Sequence, residues 1–141
     1  MSTYADTSFL VSLYIPDAHS REAEHQMASG PAVWLTPFHV AERTHAIEQQ
    51  VFRRAAARAE ADHSHKRFQQ HREGGLWVET AVPESAFDVC ARLGRRYGAR
   101  LRLRTLDTSH VASALELKAE RFWTFDERQK KLVREVGLKT D

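Results

Sequence analysis

The chain is short of the residues that staple or interrupt a fold. It has one cysteine in 141 residues, Cys90, so no internal disulfide can form. Cys90 lies in the helical-looking stretch Ala86-Phe87-Asp88-Val89-Cys90-Ala91 and reads as a small core side chain. Four prolines and six glycines are scattered, with no low-complexity tract and no linker. No apolar run approaches the ~20 residues of a membrane-spanning helix. The N-terminus has no basic segment followed by an apolar stretch, so no signal peptide is expected. Together these features predict a cytoplasmic protein with no membrane partner.

Several chemistries also lack their motifs. There is no G-x-G-x-x-G and no phosphate loop, which leaves nucleotide cofactors without support. Ser8 and Ser12 have no G-x-S-x-G elbow around them, so a serine hydrolase triad is not expected. Eight histidines invite a zinc reading. Neither the His39/Glu42 spacing nor the His63/His65 pair forms His-Glu-x-x-His, and cysteine partners are missing. The net charge of +2 demands no polyanionic partner.

What is present is an ordinary globular composition, 42% hydrophobic and 28% charged, at a length that suits one domain, residues 1–141. Residues 2–6 read as a buried strand. A helix follows from Asp6-Thr7-Ser8 to Ile15, and Pro16 closes it. Residues 17–29 make a second helix, ended by Gly30-Pro31. Residues 32–36 are the second strand, and Pro37 suits the first turn of the helix that carries Glu42. Residues 53–75 predict a long, largely exposed helix, or a helical arm with a break near Asp62-His63-Ser64, ended at Gly74-Gly75. The third strand is expected over 76–82, then a helix from Pro83-Glu84 to about Gly98 and a basic loop over 99–105. A helix opens at Asp107, a strand runs from Phe122 to Phe125, and a last helix spans 127–136. Leu138-Lys139-Thr140 could add an edge strand, and Trp34, Trp77 and Trp123 fall in strands as core. Such alternation predicts a three-layer α/β/α domain: a mostly parallel central sheet of four to five strands with helices on both faces.

In open α/β sheets, sites form at the carboxyl ends of the strands. Asp6 and Asp126 sit at two such ends, Asp107 opens a helix, and Glu42 lies among apolar side chains in the first turns of another. Each Asp alone could be a helix N-cap, worth ~1 kcal/mol with no function attached. Caps do not explain Glu42 or the paired strand endings. Four converging carboxylates would repel one another unless a cation neutralised them, and oxygen ligands suit Mg²⁺ or Mn²⁺. Two such ions, ~3.5–4 Å apart, can activate water against a phosphodiester. Hydroxyls of Thr7, Ser8, Ser109 and Thr124 stand beside the acids, where they could orient a carboxylate or a water. His110, one turn into the helix begun by Asp107, reads as a packed or hydrogen-bonded histidine bordering the pocket. Arg128 is either a contact to the scissile phosphate or an exposed first-turn arginine. Two basic clusters, Arg53 to Arg72 and Arg92 to Arg104, could hold backbone phosphates or could be solvated helix faces.

Four stretches carry a resemblance. Tyr4-Ala5-Asp6-Thr7-Ser8-Phe9-Leu10 resembles the opening motif of PIN-domain ribonucleases, and Thr36-Pro37-Phe38-His39-Val40-Ala41-Glu42 their second. Arg104-Thr105-Leu106-Asp107 through Leu115, with Phe122-Trp123-Thr124-Phe125-Asp126-Glu127-Arg128-Gln129, is similar to their third and fourth. The motifs occur in the family's order over nearly the whole chain. The resemblance implies a VapC-like toxin of a toxin–antitoxin pair: an Mg²⁺- or Mn²⁺-dependent endoribonuclease acting on transfer or ribosomal RNA. It implies a homodimer held inactive by a cognate antitoxin. Carried over residue by residue, the metal-binding acids are Asp6, Glu42, Asp107 and Asp126, with Thr124 supporting. The alternative is a non-catalytic PIN-like module that binds RNA or protein.

Overall fold

A computed structural model describes residues 2–140. Among them are four strands, β1 (Ser2–Ala5), β2 (Ala32–Leu35), β3 (Val78–Glu79) and β4 (Arg121–Trp123). Seven helices accompany them: α1 (Thr7–Tyr14), α2 (Ser20–Met27), α3 (Pro37–Phe52), α4 (Arg58–Glu73), α5 (Ala86–Leu101), α6 (Thr105–Glu116) and α7 (Glu127–Glu135). The strands lie in the order β3-β2-β1-β4, and every pairing is parallel. Parallel neighbours need a crossover, and the helices supply it.

Side chains alternate across the sheet with the period of two that strands impose. Ala5, Val33, Leu35 and Trp123 face a core built with Phe9, Leu10, Tyr14, Ala23 and Phe68 of α1, α2 and α4. Tyr4, Trp34 and Phe122 face the other way, onto Tyr97, Val111, Ala114, Leu132 and Val133 of α5, α6 and α7. Each fully buried Leu, Val or Phe in these layers contributes ~1.5–3 kcal/mol. The three-layer α/β/α expectation therefore holds, and the sheet is parallel throughout.

Local boundaries differ in several places. The strand expected over 76–82 is only Val78–Glu79, because β3 is an edge and β2 offers it just two partners, Trp34 and Leu35. Trp77 is buried, but it precedes the strand. The arm breaks at 53–57, not at Asp62-His63-Ser64, where Arg54 takes a positive φ of 59° between α3 and α4. As expected, α4 is largely exposed, with one narrow face, Ala61, Ser64 and Phe68, buried. The basic loop shrinks to 102–104. Here α5 continues to Leu101, and Arg102 at φ 54° turns the chain into α6. β4 stops at Trp123, so Thr124 and Phe125 belong to the turn before α7. A parallel bridge from Lys139 to Arg121 is the remnant of the expected C-terminal edge strand.

Candidate functional site at the carboxyl ends of the strands

β1 ends at Ala5, and the Asp6 amide donates to the Trp123 carbonyl at 2.9 Å, extending the β1–β4 pairing by one step. This fixes Asp6 at the sheet's carboxyl edge. Its Oδ2 accepts from Ser8 at 2.7 Å and from Thr124 at 3.5 Å. Thr124 is buried and also accepts the Asp126 amide at 3.1 Å, so one hydroxyl joins the two strand-end acids. Asp126 caps α7, taking the Gln129 amide at 3.0 Å. Asp107 is the third residue of α6 rather than its first, because the helix opens at Thr105. From there its carboxylate reaches back to the Arg104 amide at 3.3 Å. Buried Gln129 ties α7 to α6 by donating to the Asp107 carbonyl at 3.1 Å.

Asp6, Glu42, Asp107 and Asp126 line one cavity of about 420 Å³, together with Thr7, Ser8, His19, Arg104 and Phe125. The structure thus brings all four predicted acids to one pocket. Their closeness is unequal. Asp6, Glu42 and His110 have donor atoms all within 4.8 Å of one another, and neither Asp107 nor Asp126 is in that cluster. A larger cavity of about 590 Å³, bordered by Leu35, Pro37, Val40, Thr44, Arg72 and Glu79, gathers no set of acids, so size does not locate the chemistry.

His110 is the hub of the cluster, and it is 1% exposed. Its Nε2 lies 2.6 Å from Glu42 Oε1 and 3.2 Å from the Thr7 hydroxyl. Its Nδ1 lies 2.7 Å from the Tyr4 hydroxyl. Burial, with Asp6 and Glu42 nearby, raises the Tyr4 pKa and keeps its hydroxyl protonated. Because the Glu42 carboxylate can only accept from Nε2, the neutral ring leaves Nδ1 to accept from Tyr4. The proton then sits on Nε2 and is given to Glu42. Thr7 donates to the same carboxylate. Burial alone would raise the Glu42 pKa, but the hydrogen bonds from His110 and Thr7, with Arg104 nearby, bring it below the ordinary value. Glu42 is therefore held ionised and oriented.

The donor set suits a hard divalent cation: carboxylate oxygens of four residues and no thiolate. With its Nε2 proton committed to Glu42, His110 orients a ligand rather than offering a lone pair. Arginines stand at the rim. Arg104 Nε lies 3.6 Å from Asp107, and Arg128 lies 3.7 Å from Asp126 with its side chain 47% exposed. Ser109 does not serve the pocket, since it bonds the Thr105 carbonyl at 2.7 Å and faces Cys90. Sequence reasoning placed His110 at the border and missed its central role. Its position three residues after Asp107, on the same helix face, was the signal. Gln129 was missed for a similar reason, three residues after Asp126.

The fold and the pocket define a class: a parallel three-layer α/β/α domain with acids gathered where its strands end. Residues 3–135 match the profile of the PIN domain, and the chain belongs to that family. Comparison with curated protein sequences gives no match. Among solved structures, the chain is similar to Mycobacterium tuberculosis VapC20, a toxin that cleaves the sarcin–ricin loop, at 16% identity and a TM-score of 0.72 over 96% of this chain and 95% of that one. Similarity to FitAcB from Neisseria gonorrhoeae has a TM-score of 0.71 at 16% identity, over 98% of this chain and 95% of that one. Rickettsia felis VapBC2, bound to a DNA fragment from its promoter, gives 0.68 at 12% identity, over 100% of this chain and 98% of that one. At such identities the likeness is one of fold.

Proposed function

We propose that this protein is a metal-dependent endoribonuclease and the toxin of a toxin–antitoxin pair. The observation that carries the reading is the single cavity lined by Asp6, Glu42, Asp107 and Asp126. Membership of the PIN family and the fold shared with a toxin that cleaves the sarcin–ricin loop support it. Asp6 and Glu42 would hold Mg²⁺ or Mn²⁺, with Asp107 and Asp126 completing the oxygen set from α6 and α7. The bound cation supplies a water of lowered pKa and neutralises charge at the phosphate. The chain's own groups do the rest. Ser8 and Thr124 orient Asp6, His110 and Thr7 orient Glu42, and Arg104 and Arg128 at the rim hold backbone phosphates.

Transfer or ribosomal RNA as substrate, an antitoxin, and a second copy of the chain follow from the family resemblance and the related complexes. Exposed Phe52, Phe87 and Leu106 are apolar surface that such protein partners could cover. Cytoplasmic location is part of the same reading, and among the described residues no helix is long and apolar enough to cross a membrane.

Cleavage of a mixed-sequence RNA with Mn²⁺ tests the function. Wild type is expected to cut, EDTA to stop it, and Asp6→Asn to lose about 10²-fold or more while melting normally. An Asp6→Asn protein that cuts as well as wild type would sink the proposal. RNA binding without cutting by wild type would move the chain to the non-catalytic class.

A further inference from the structure

One wall of the acidic cavity is aromatic. His19 is exposed and lies face to face on Phe125, with ring centroids 4.3 Å apart and planes 8° apart. Phe125 stacks in turn on buried Phe9, at 5.9 Å and 21°. His19 and Phe125 border the same cavity as Asp6 and Asp126. The turn that carries His19 is braced. The Asp17 carboxylate accepts the Ser12 hydroxyl at 2.8 Å and the His19 amide at 2.8 Å, and the Asp17 amide donates to the Ser20 hydroxyl at 2.9 Å.

An exposed ring therefore stands at the cavity border, one face stacked on Phe125, on a backbone turn braced by Asp17. Phe125 precedes Asp126 in the chain, so the aromatic wall and the acidic floor share one backbone segment. Base stacking needs a rigid ring with a free face, and RNA-binding proteins use His, Phe, Tyr and Trp in this way. We propose that His19, backed by Phe125, is a stacking platform for an unpaired nucleobase beside the cleaved phosphate. The inference rests on the nuclease reading of the pocket and adds a substrate class: RNA with a splayed base at the cut, not a continuous duplex. A paired base keeps its faces inside the helix and cannot reach the platform.

The test first maps the cut that wild type makes in a mixed-sequence RNA with Mn²⁺. A short RNA spanning that cut is then compared with versions lacking the base at either flanking nucleotide. His19→Ala is expected to raise KM about tenfold on the intact RNA, as loss of one stacked base would, with a smaller change in kcat. Removing the base at one flanking position should raise the wild-type KM by the same factor and leave His19→Ala with no further loss. His19→Phe should restore the intact-RNA KM. An unchanged KM for His19→Ala, or an equal loss on every abasic RNA, overturns the platform while leaving the nuclease intact. Absence of any cut by wild type overturns the nuclease reading, and the platform with it.

Discussion

Glu42 and Arg43 are neighbours on α3, yet they enter regions with opposite electrostatic plans. Glu42 points to the acidic pocket, where it forms a tight cluster with Asp6 and His110. Arg43 is 1% exposed and is clamped between α1 and α4, its guanidinium 4.2 Å from the Phe68 ring centroid and 4.9 Å from that of Tyr14. It donates to the Ser64 carbonyl at 3.0 Å and the Ser64 hydroxyl at 2.6 Å, and makes a 3.2 Å contact with His65 Nδ1. Burial brings its pKa down to about 10, opposed by Tyr14, so it stays charged at neutral pH. Aromatic faces and neutral acceptors thus hold the cation from within the fold, with only its Nε left without a hydrogen-bond partner among the described residues. The pocket leaves its negative charge to be satisfied from outside. A buried cation enclosed by the fold holds structure, and acids gathered at an open cavity, each only partly compensated, can take a cation.

The sharpest way to break this contrast is to change the two neighbours separately. Arg43→Ala opens a cavity and removes two cation–ring contacts, at a cost of ~2–4 kcal/mol. A fall in melting temperature of about 10 °C is expected, with Mn²⁺ affinity near wild type when measured by calorimetry on folded protein. Glu42→Gln keeps the shape and removes a proposed ligand charge. It should lower Mn²⁺ affinity by at least about tenfold and move the melting temperature little. Exchange of the two phenotypes would refute the division.

The two regions should also respond differently to acid. His39 is fully buried, with Nε2 on the Ala5 carbonyl at 2.8 Å and Nδ1 accepting the Thr36 amide at 3.0 Å. Burial, helped by His110 and opposed by the Ala5 carbonyl, lowers its pKa to about 3. Unfolding lets it protonate at its ordinary value, so the unfolded state binds the extra proton between that value and about pH 3. Stability is complete above the unfolded pKa and falls as pH drops through this window, by ~1.4 kcal/mol per unit. About 2 kcal/mol should be gone by pH 5. His71, lowered by burial and Arg67, adds a loss of the same sign. Glu42 acts lower: its depressed pKa stabilises above its unfolded value and is lost only as pH falls through the folded one. Denaturant melts from pH 7 to pH 4 read the slope, and a flat profile above pH 5 would contradict the buried neutral His39.

These contrasts explain how far the sequence could be read. The layers and the gathering of the four acids at one cavity were legible because they rest on local signals: strand periodicity, Pro37, and acids at element ends. Asp107 was displaced by two positions because Arg102 at positive φ starts α6 early, a backbone event with no marker residue such as glycine. The arm's exposure was legible from its charged composition, but its narrow buried face was not. That face, Ala61, Ser64 and Phe68, meets partners outside the arm: Val11 and Ile47 for Ala61, Arg43 for Ser64, and Tyr14, Trp77 and Arg43 for Phe68. His39 and His110 look alike in a sequence. Their partners separate them: backbone and Thr36 for one, Tyr4 and a pocket acid for the other.

A smaller effect sharpens the same comparison, since each region contains a tyrosine bonded to a histidine Nδ1. Tyr4 meets His110 at 2.7 Å in the pocket, and Tyr14 meets His71 at 2.6 Å beside the clamp. Replacing either with Phe deletes one hydroxyl and leaves a ring nitrogen short of its partner, a loss of ~1 kcal/mol. The stability changes should therefore be similar. Their consequences for the pocket should not be. Without the Tyr4 hydroxyl the Nε2 proton still goes to Glu42, but His110 loses the anchor on its other nitrogen, so the ring and the carboxylate it orients are held less firmly. Mn²⁺ affinity of Tyr4→Phe should then fall several-fold, toward the ~10-fold loss common for groups that orient a ligand. Tyr14→Phe should bind Mn²⁺ as wild type does. Equal Mn²⁺ affinities for the two variants would mean that His110 is held by packing alone, and its hydrogen bond to Glu42 would lose its place in the proposed mechanism.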